Sequence, residues 1–358
     1  MIDETLLWLC SIDSPIGDEA LLCDAVERRL EPIVRARRYK NSLVFPWIRG
    51  DRSDPNDPHD FRPHVVLAGH LDTVRTENGP ARREGERIFG SGSSDMKSGL
   101  AVMIELAERV KRADCKYDVT LVFYAREEGP FLENELGVVM AEDPDVRRAD
   151  FAVCLEPSDN RLQLGCMGSI HATVTVEGRT AHSARPWEGE SAVTKAAPLL
   201  AEIGALAPEE HVIDGLSFRS VFTITQARDG GRGRNVVPDR FSINLNHRFA
   251  PDTTLEQAKQ RVLDVVAGRG RVELTDLSPA AMPHRDHPLA KRLAECGVVA
   301  VERKQAWTDV ARFAALGIPA VNLGPGENAQ AHQKNESTSL PLVHEGYRIF
   351  ETFLTRER

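Results

Sequence analysis

The sequence predicts an α/β layer sandwich with a largely parallel sheet, interrupted by a smaller ferredoxin-like α+β domain. Three observations carry this expectation. Helical and strand patterns alternate through the first half of the chain, short apolar runs end abruptly in His, Asp or Glu, and the texture changes from about Ser169 onward. At about 150 residues per domain, the 358 residues are enough for roughly two domains with full cores.

Asp18 to Val34 has helical character, and the Pro- and Asp-rich stretch Asp51 to Pro63 reads as a loop. Val65-Val66-Leu67-Ala68 is a continuous apolar run ending at Gly69-His70, as expected of a strand buried on both faces. After Gly90-Ser91-Gly92-Ser93-Ser94-Asp95, the residues Leu100, Met103, Ile104, Ala107 and Val110 recur at helical spacing. Val119 to Ala125 is the next strand and runs into Arg126-Glu127-Glu128-Gly129-Pro130; Phe151 to Leu155 is another, stopped by Glu156-Pro157. Ligands in open α/β sheets bind outside the carboxyl ends of the strands, which is where these acids and histidines fall.

In the second domain, Ala172 to Val176 alternates as a half-exposed strand, Ser191 to Leu206 is helical despite Pro198, and Val221 to Gln226 is a strand. Asn235 to Phe249 follows as a strand, Thr254 to Val266 as a helix and Arg271 to Thr275 as a last strand. The order β-α-β-β-α-β is that of a ferredoxin-like split βαβ unit. The first domain resumes near Pro279, so the expected boundaries are 1–168, 169–278 and 279–358.

Composition narrows the function. Lys plus Arg is 45 against 54 for Asp plus Glu, and a formal charge of -9 repels a phosphate backbone, so nucleic acid is not an expected partner. Met1 to Leu9 lacks the basic segment that opens a signal peptide, and the longest apolar runs fall far short of the roughly 20 residues of a membrane span. The expectation is a cytoplasmic protein with no membrane partner. Cys10, Cys23, Cys115, Cys154, Cys166 and Cys296 show no C-x-x-C spacing and read as reduced core residues.

The chemistry-bearing residues each have a bland reading as well. In His70-Leu71-Asp72 the two polar residues share a side of the strand end, so Asp72 can reach the imidazole as the carboxylate behind a zinc histidine does; the alternative is a surface His beside a helix-capping Asp. Asp95 follows a Gly/Ser-rich turn and is either an inward-aimed ligand or a helix N-cap. Glu127-Glu128 puts two acids at a strand mouth pointing different ways, so one can ligate a metal while the other moves a water proton; the alternative is a solvated loop pair. Together with Glu156 and His332, these residues form a mixed N/O set suited to zinc, without thiolates.

The ordered set His70-Leu71-Asp72-Thr73-Val74, Ser94-Asp95-Met96-Lys97, Glu127-Glu128-Gly129, Glu156-Pro157-Ser158 and His332 closely resembles the dinuclear zinc aminoacylase/carboxypeptidase family of metallopeptidases (M20), over nearly the whole chain. Gly178-Arg179-Thr180-Ala181-His182-Ser183-Ala184-Arg185-Pro186, Asn235-Val236-Val237-Pro238 and Trp307-Thr308-Asp309-Val310-Ala311-Arg312-Phe313 resemble its succinyl-diaminopimelate desuccinylase branch. The resemblance implies a zinc-peptidase-like three-layer sandwich whose inserted domain serves as lid and dimerisation domain. It implies two zinc ions per subunit, with cobalt as a substitute. Asp95 would be shared between the metals, His70 and Glu156 would complete one site, and Glu128 and His332 the other. Asp72 would orient His70, Glu127 would shuttle the proton, and His182 would reach the site of the partner subunit in a homodimer. Asn235, Arg248, Thr308, Arg312 and Asn328 are the implied substrate-binding residues.

The expected reaction is hydrolysis of N-succinyl-LL-2,6-diaminopimelate, with N-acetylornithine or another N-acyl amino acid as the close alternative, since the metal site does not encode the acyl group. Met167 is apolar where the branch tends to have a polar or basic residue, which leaves the acyl group open. A catalytically silent dimeric metal-binding protein is the alternative of another class. Against it stands the presence of Glu127 with all five ligand positions. No phosphate loop or nucleotide fingerprint supports a transferase.

Overall fold

The computed structural model describes residues 1–49, 62–231 and 233–355, so the expected loop over Asp51–Pro63 lies, as far as Phe61, outside the described residues. The chain forms two compact units: Met1–Gly165, His284–Glu302 and Arg312–Arg358 make the first, Cys166–Pro283 and Arg303–Ala311 the second.

The first unit opens with α1 (Ile2–Cys10), α2 (Ala20–Leu30), β1 (Arg37–Tyr39), β2 (Ser42–Ile48), β3 (His64–His70), β4 (Arg82–Glu84), β5 (Arg87–Phe89) and α3 (Lys97–Arg109). It continues with β6 (Asp118–Tyr124), α4 (Leu136–Glu142), β7 (Phe151–Cys154) and β8 (Leu162–Leu164). The second unit supplies β9 (Gly168–Glu177), α5 (Ala192–Gly204), β10 (Glu209–Ile213), β11 (Leu216–Asp229), β12 (Arg240–Phe249), α6 (Leu255–Val266) and β13 (Arg271–Ser278). The rest of the chain adds α7 (Pro288–Ala294), β14 (Val301–Arg303), α8 (Val310–Ala315), β15 (Ala320–Asn322), β16 (Ser337–Ser339) and α9 (Leu340–Thr355).

The main sheet has the order β1-β2-β6-β3-β7-β15-β8-β14. Its centre is parallel, β3 pairing with both β6 and β7 and β15 with β7, while β2 joins β6 and β8 joins β15 antiparallel. β6 and β7 are buried at every residue and β3 at all but His64, which requires packing layers on both faces. Glycine sets how close α3 comes. A Cβ at Gly69 would lie 2.6 Å from Leu100 Cδ2, and one at Gly99 2.5 Å from the Leu155 carbonyl oxygen. Bare backbone at both positions lets α3 sit directly on the ends of β3 and β7, where the ligand-type residues emerge.

The second unit is an antiparallel sheet in the order β10-β11-β12-β9-β13. Without β10, that is the ferredoxin-like arrangement the sequence predicts. Ile170, Ala172, Val174 and Val176 of β9 and Ile243 and Leu245 of β12 form its core with Leu199 of α5 and Val262 of α6. Ser191 caps α5 by accepting the Thr194 N–H, and Thr254 with Gln257 forms a capping box on α6. α5 runs through Pro198 and forgoes the one backbone bond that proline cannot donate. All six cysteines are buried thiols outside any disulfide, and no described helix is long and apolar enough to cross a membrane.

Candidate metal centre

His70 is the last residue of β3 and is buried. Its Nδ1 lies 2.9 Å from the Asp72 main-chain oxygen and 3.6 Å from the Asp72 carboxylate, while Nε2 is 3.3 Å from Asp95 Oδ1. The nearest partner of the imidazole is thus a carbonyl, which can only accept, so Nδ1 carries a proton and Nε2 is the nitrogen left to face Asp95, as a donor when protonated and as a ligand atom when not. The Asp72 carboxylate also accepts the backbone N–H groups of Glu127 at 3.0 Å and Glu128 at 2.9 Å. It ties the loop after β6 to the end of β3.

Asp95 is not a helix cap. α3 begins at Lys97 with Met96 in the cap position and no side-chain cap bond. The Asp95 carboxylate instead faces two histidines, Oδ1 toward His70 and Oδ2 at 3.5 Å from His332 Nε2. Glu128 Oε1 lies 3.0 Å from the same His332 nitrogen. Ligand atoms of His70, Asp95 and Glu128 all fall within 4.8 Å of one another. Tetrahedral ligands at about 2.0–2.1 Å from a zinc ion stand about 3.3–3.4 Å apart, so the 3.3 Å from His70 to Asp95 and the 3.5 Å from Asp95 to His332 suit pairs of ligands to one ion. Glu156, two residues past β7, is buried and close enough for its charge to act on His70.

Electrostatics follow from this crowding of carboxylates. Burial depresses the His70 pKa, but hydrogen bonding to Asp72 and Asp95 and the charge of Glu156 outweigh it and hold the imidazole well above its ordinary value. The hydrogen bond that His332 donates to Glu128 pushes its pKa up to about 9, against a smaller effect of burial. Burial would raise Asp72, yet His70 and the two backbone N–H groups bring it below the usual carboxylate range. The clustered carboxylates favour a positive charge at this point, whether a proton on an imidazole or a metal ion.

Two further charged residues, Glu336 and Lys97, are buried beside the turn that carries Asp95. The Glu336 carboxylate is buried against the turn that carries Asp95, accepting the N–H groups of Gly92, Ser94 and Asp95, each at 2.8 Å. Burial and the Asp95 charge push it up to about 7 against those three bonds. Lys97 is fully buried with Nζ on the Ile12 carbonyl oxygen at 2.9 Å, and burial lowers its pKa. A buried acid or lysine is rare unless partnered, but burial of a lone Glu before a three-residue strand has no local sequence signal.

The remaining residues singled out from sequence are divided between the units. His182, Asn235, Arg248 and Thr308 belong to the second, Arg312 and Asn328 to the first. His182 stands exposed on a turn bridged to Val236, its Nδ1 3.1 Å from the Ala184 N–H, and the Asn235 carbonyl accepts the Ser183 N–H at 2.9 Å. Arg248 is half-buried with Nε on Asn246 Oδ1 at 3.1 Å. The Arg312 guanidinium stacks 3.8 Å from the Phe131 ring centre and donates to the Phe131 carbonyl. Thr308 is buried, and Asn328 is exposed with its N–H on Asp159 at 3.2 Å. Met167 points into an apolar cluster with Ile213, Phe218 and Ala250, so its side chain is a core residue of the second unit.

The sequence profile of peptidase family M20/M25/M40 matches residues 66–356. The chain belongs to this family. It is 42% identical, over 92% of its length and 90% of the relative's, to a Mycobacterium tuberculosis protein provisionally named succinyl-diaminopimelate desuccinylase DapE. Identity to the succinyl-diaminopimelate desuccinylase of Corynebacterium glutamicum is 34% over 97% of this chain and 94% of that one. A tripeptidase from Staphylococcus aureus shares the fold with a TM-score of 0.78, at 20% identity over 99% of this chain and 97% of the other. The M20 fold expected from the motif set is the fold observed.

Proposed function

We propose that this chain is a zinc-dependent amidohydrolase that releases succinate from N-succinyl-LL-2,6-diaminopimelate. The observation that carries the metal chemistry is the meeting of His70, Asp95 and Glu128 within 4.8 Å, with His332 against the last two. The substrate is supported by the names of the relatives that align with almost the full chain.

Asp95 is the natural shared ligand, since it faces both histidines; His70 and Glu156 would complete one site and Glu128 and His332 the other, for zinc or in substitution cobalt. When bound, the pair of cations supplies the Lewis acidity that polarises the amide carbonyl and lowers the pKa of a water. Glu127 takes that water's proton and gives it to the leaving amine; its backbone is held by Asp72, one residue from the ligand Glu128. His182 accepts the Ala184 N–H at Nδ1, which in the neutral ring puts its proton on Nε2 as a donor for the developing oxyanion.

His182 serves the partner's site in a homodimer formed through the inserted domain. In support, β10 pairs only with Leu216–Ser220, and among the described residues Val221–Asp229 of β11 has a strand neighbour on one side alone. Such an edge invites pairing with another chain. Substrate carboxylates fall to Arg248, which has no carboxylate at ion-pair distance among the described residues, with Asn235, Thr308, Arg312 and Asn328 as the further contacts. The six free thiols support a reducing, cytoplasmic setting.

Turnover of N-succinyl-LL-diaminopimelate and N-acetylornithine, measured side by side on the zinc-loaded protein, tests the branch. The succinyl compound should be clearly the better substrate. A reversed preference moves the protein to another N-acyl amino acid and leaves the metal centre in place.

A further inference from the structure

We propose that Glu336 is a positioning residue for Asp95: its buried carboxylate fixes the backbone of the turn that aims Asp95 between His70 and His332. This inference rests on the reading of that cluster as a metal centre.

The Gly92 and Ser94 carbonyls of the turn from Gly90 to Asp95 accept from the Lys97 N–H at 2.7 Å and Ser98 Oγ at 3.0 Å, but the turn itself offers few acceptors for its own N–H groups. It belongs to no strand, it passes through Gly92 at φ 78°, and its own internal bond runs from the Ser93 N–H to the Gly90 carbonyl at 3.1 Å. Glu336, immediately before β16, supplies the missing acceptors. Oε1 takes the N–H groups of both Ser94 and Asp95, Oε2 takes that of Gly92, and the Glu336 carbonyl takes that of Gly90 at 3.1 Å. Glu336 is itself pinned, its N–H donating to Asn78 Oδ1 at 2.8 Å, and Asn78 reaches Ser91 Oγ at 3.2 Å. Strand pairing of Ser337 with Phe89 fixes the register of the two segments.

One carboxylate therefore holds the peptide N–H of the very residue whose side chain faces both histidines. A shift of that peptide moves the Asp95 oxygens relative to His70 and His332 together. Three donors converging on one group also explain why the acid is required. A glutamine has one carbonyl oxygen, so it can keep the Ser94 and Asp95 bonds but must turn its NH2 toward the Gly92 N–H. Alanine leaves all three donors without this acceptor.

The test compares wild type, E336Q and E336A by chelator competition for zinc, by the visible absorption spectrum of the cobalt-loaded protein, and by thermal unfolding of the metal-free protein. A positioning role predicts weaker zinc binding in E336A by about 10–100-fold, the range found when groups that orient metal ligands are removed. It also predicts an altered cobalt spectrum, with E336Q recovering part of both. A role confined to folding would lower the melting temperature while leaving zinc affinity and spectrum as in wild type, and that result overturns the proposal. If E336A does not fold, E336Q decides alone: unchanged affinity and spectrum overturn the proposal. Wild type that binds no metal would instead overturn the metal-centre reading itself, so the two failures are told apart.

Discussion

Asp72 offers the sharpest quantitative test of how the centre is built. Its two carboxylate oxygens each hold one backbone N–H, those of Glu127 and Glu128, in a fully buried position. Asp72→Asn keeps the shape and one oxygen, so one of the two N–H groups is left facing an NH2. Leaving a buried donor unsatisfied costs about 1–3 kcal/mol. If the strain is relieved by displacing Glu128, the same energy appears as a loss of metal affinity of about 5–150-fold, since about 1.4 kcal/mol is tenfold. Asp72→Ala removes both acceptors and should cost about twice as much, or about 2–6 kcal/mol. Denaturant unfolding of the metal-free protein gives the stability cost, and chelator competition gives the share that reaches the metal. Both variants should also lose kcat, because the loop that is released carries Glu127. An Asp72→Asn protein equal to wild type in stability and in zinc affinity would refute the role assigned to these two hydrogen bonds.

Glu127→Gln should bind zinc as wild type does and lose about 10²–10⁴-fold in kcat, the usual contribution of a general acid/base; near-normal turnover would remove Glu127 from that role. In the metal-free protein His332 is raised to about 9 from an ordinary value near 6.5. A raised folded-state pKa contributes stability below the unfolded value and loses it as pH rises through the folded one, so this contribution should fade between about pH 6.5 and 9. Zinc affinity should rise over the same interval as the competing proton leaves; urea midpoints and chelator titrations across that range check both slopes, and His332→Ala should flatten them. Gly99→Ala places a methyl 2.5 Å from the Leu155 carbonyl oxygen, next to Glu156. It should destabilise by about 1–3 kcal/mol in denaturant unfolding, and a neutral result would mean α3 can lift off the sheet without cost.

The strands that lead to the candidate metal centre are readable in the sequence because their burial is written in composition. The apolar runs Val65–Ala68, Val119–Ala125 and Phe151–Leu155 end within two residues of the ends of β3, β6 and β7, and His70, Glu128 and Glu156 lie just beyond the runs. What is illegible is short or exposed. β10 carries Glu209, Glu210 and His211 on a mostly solvent-facing strand, and β4, β5, β8, β14 and β16 are three residues each, below any periodic signal. The ambiguity of Asp95 is one of register: a turn before a helix looks alike whether its acid caps the helix or sits two residues ahead of the first helical residue, and only the placement of Lys97 separates them. Glu336 and the backbone-binding side of Asp72 depend on partners far away in sequence, beyond the reach of spacing rules.

The most direct measurement is a zinc titration of metal-free protein while succinate release from N-succinyl-LL-diaminopimelate is followed, with Asp95→Ala and Glu127→Gln alongside. The account predicts no release without metal and a rise that levels at two equivalents of zinc. Glu127→Gln should take up the same two equivalents with little release, and Asp95→Ala should bind neither ion tightly. Full release from the metal-free protein, or an Asp95→Ala variant that binds zinc and hydrolyses the substrate as wild type does, would contradict it.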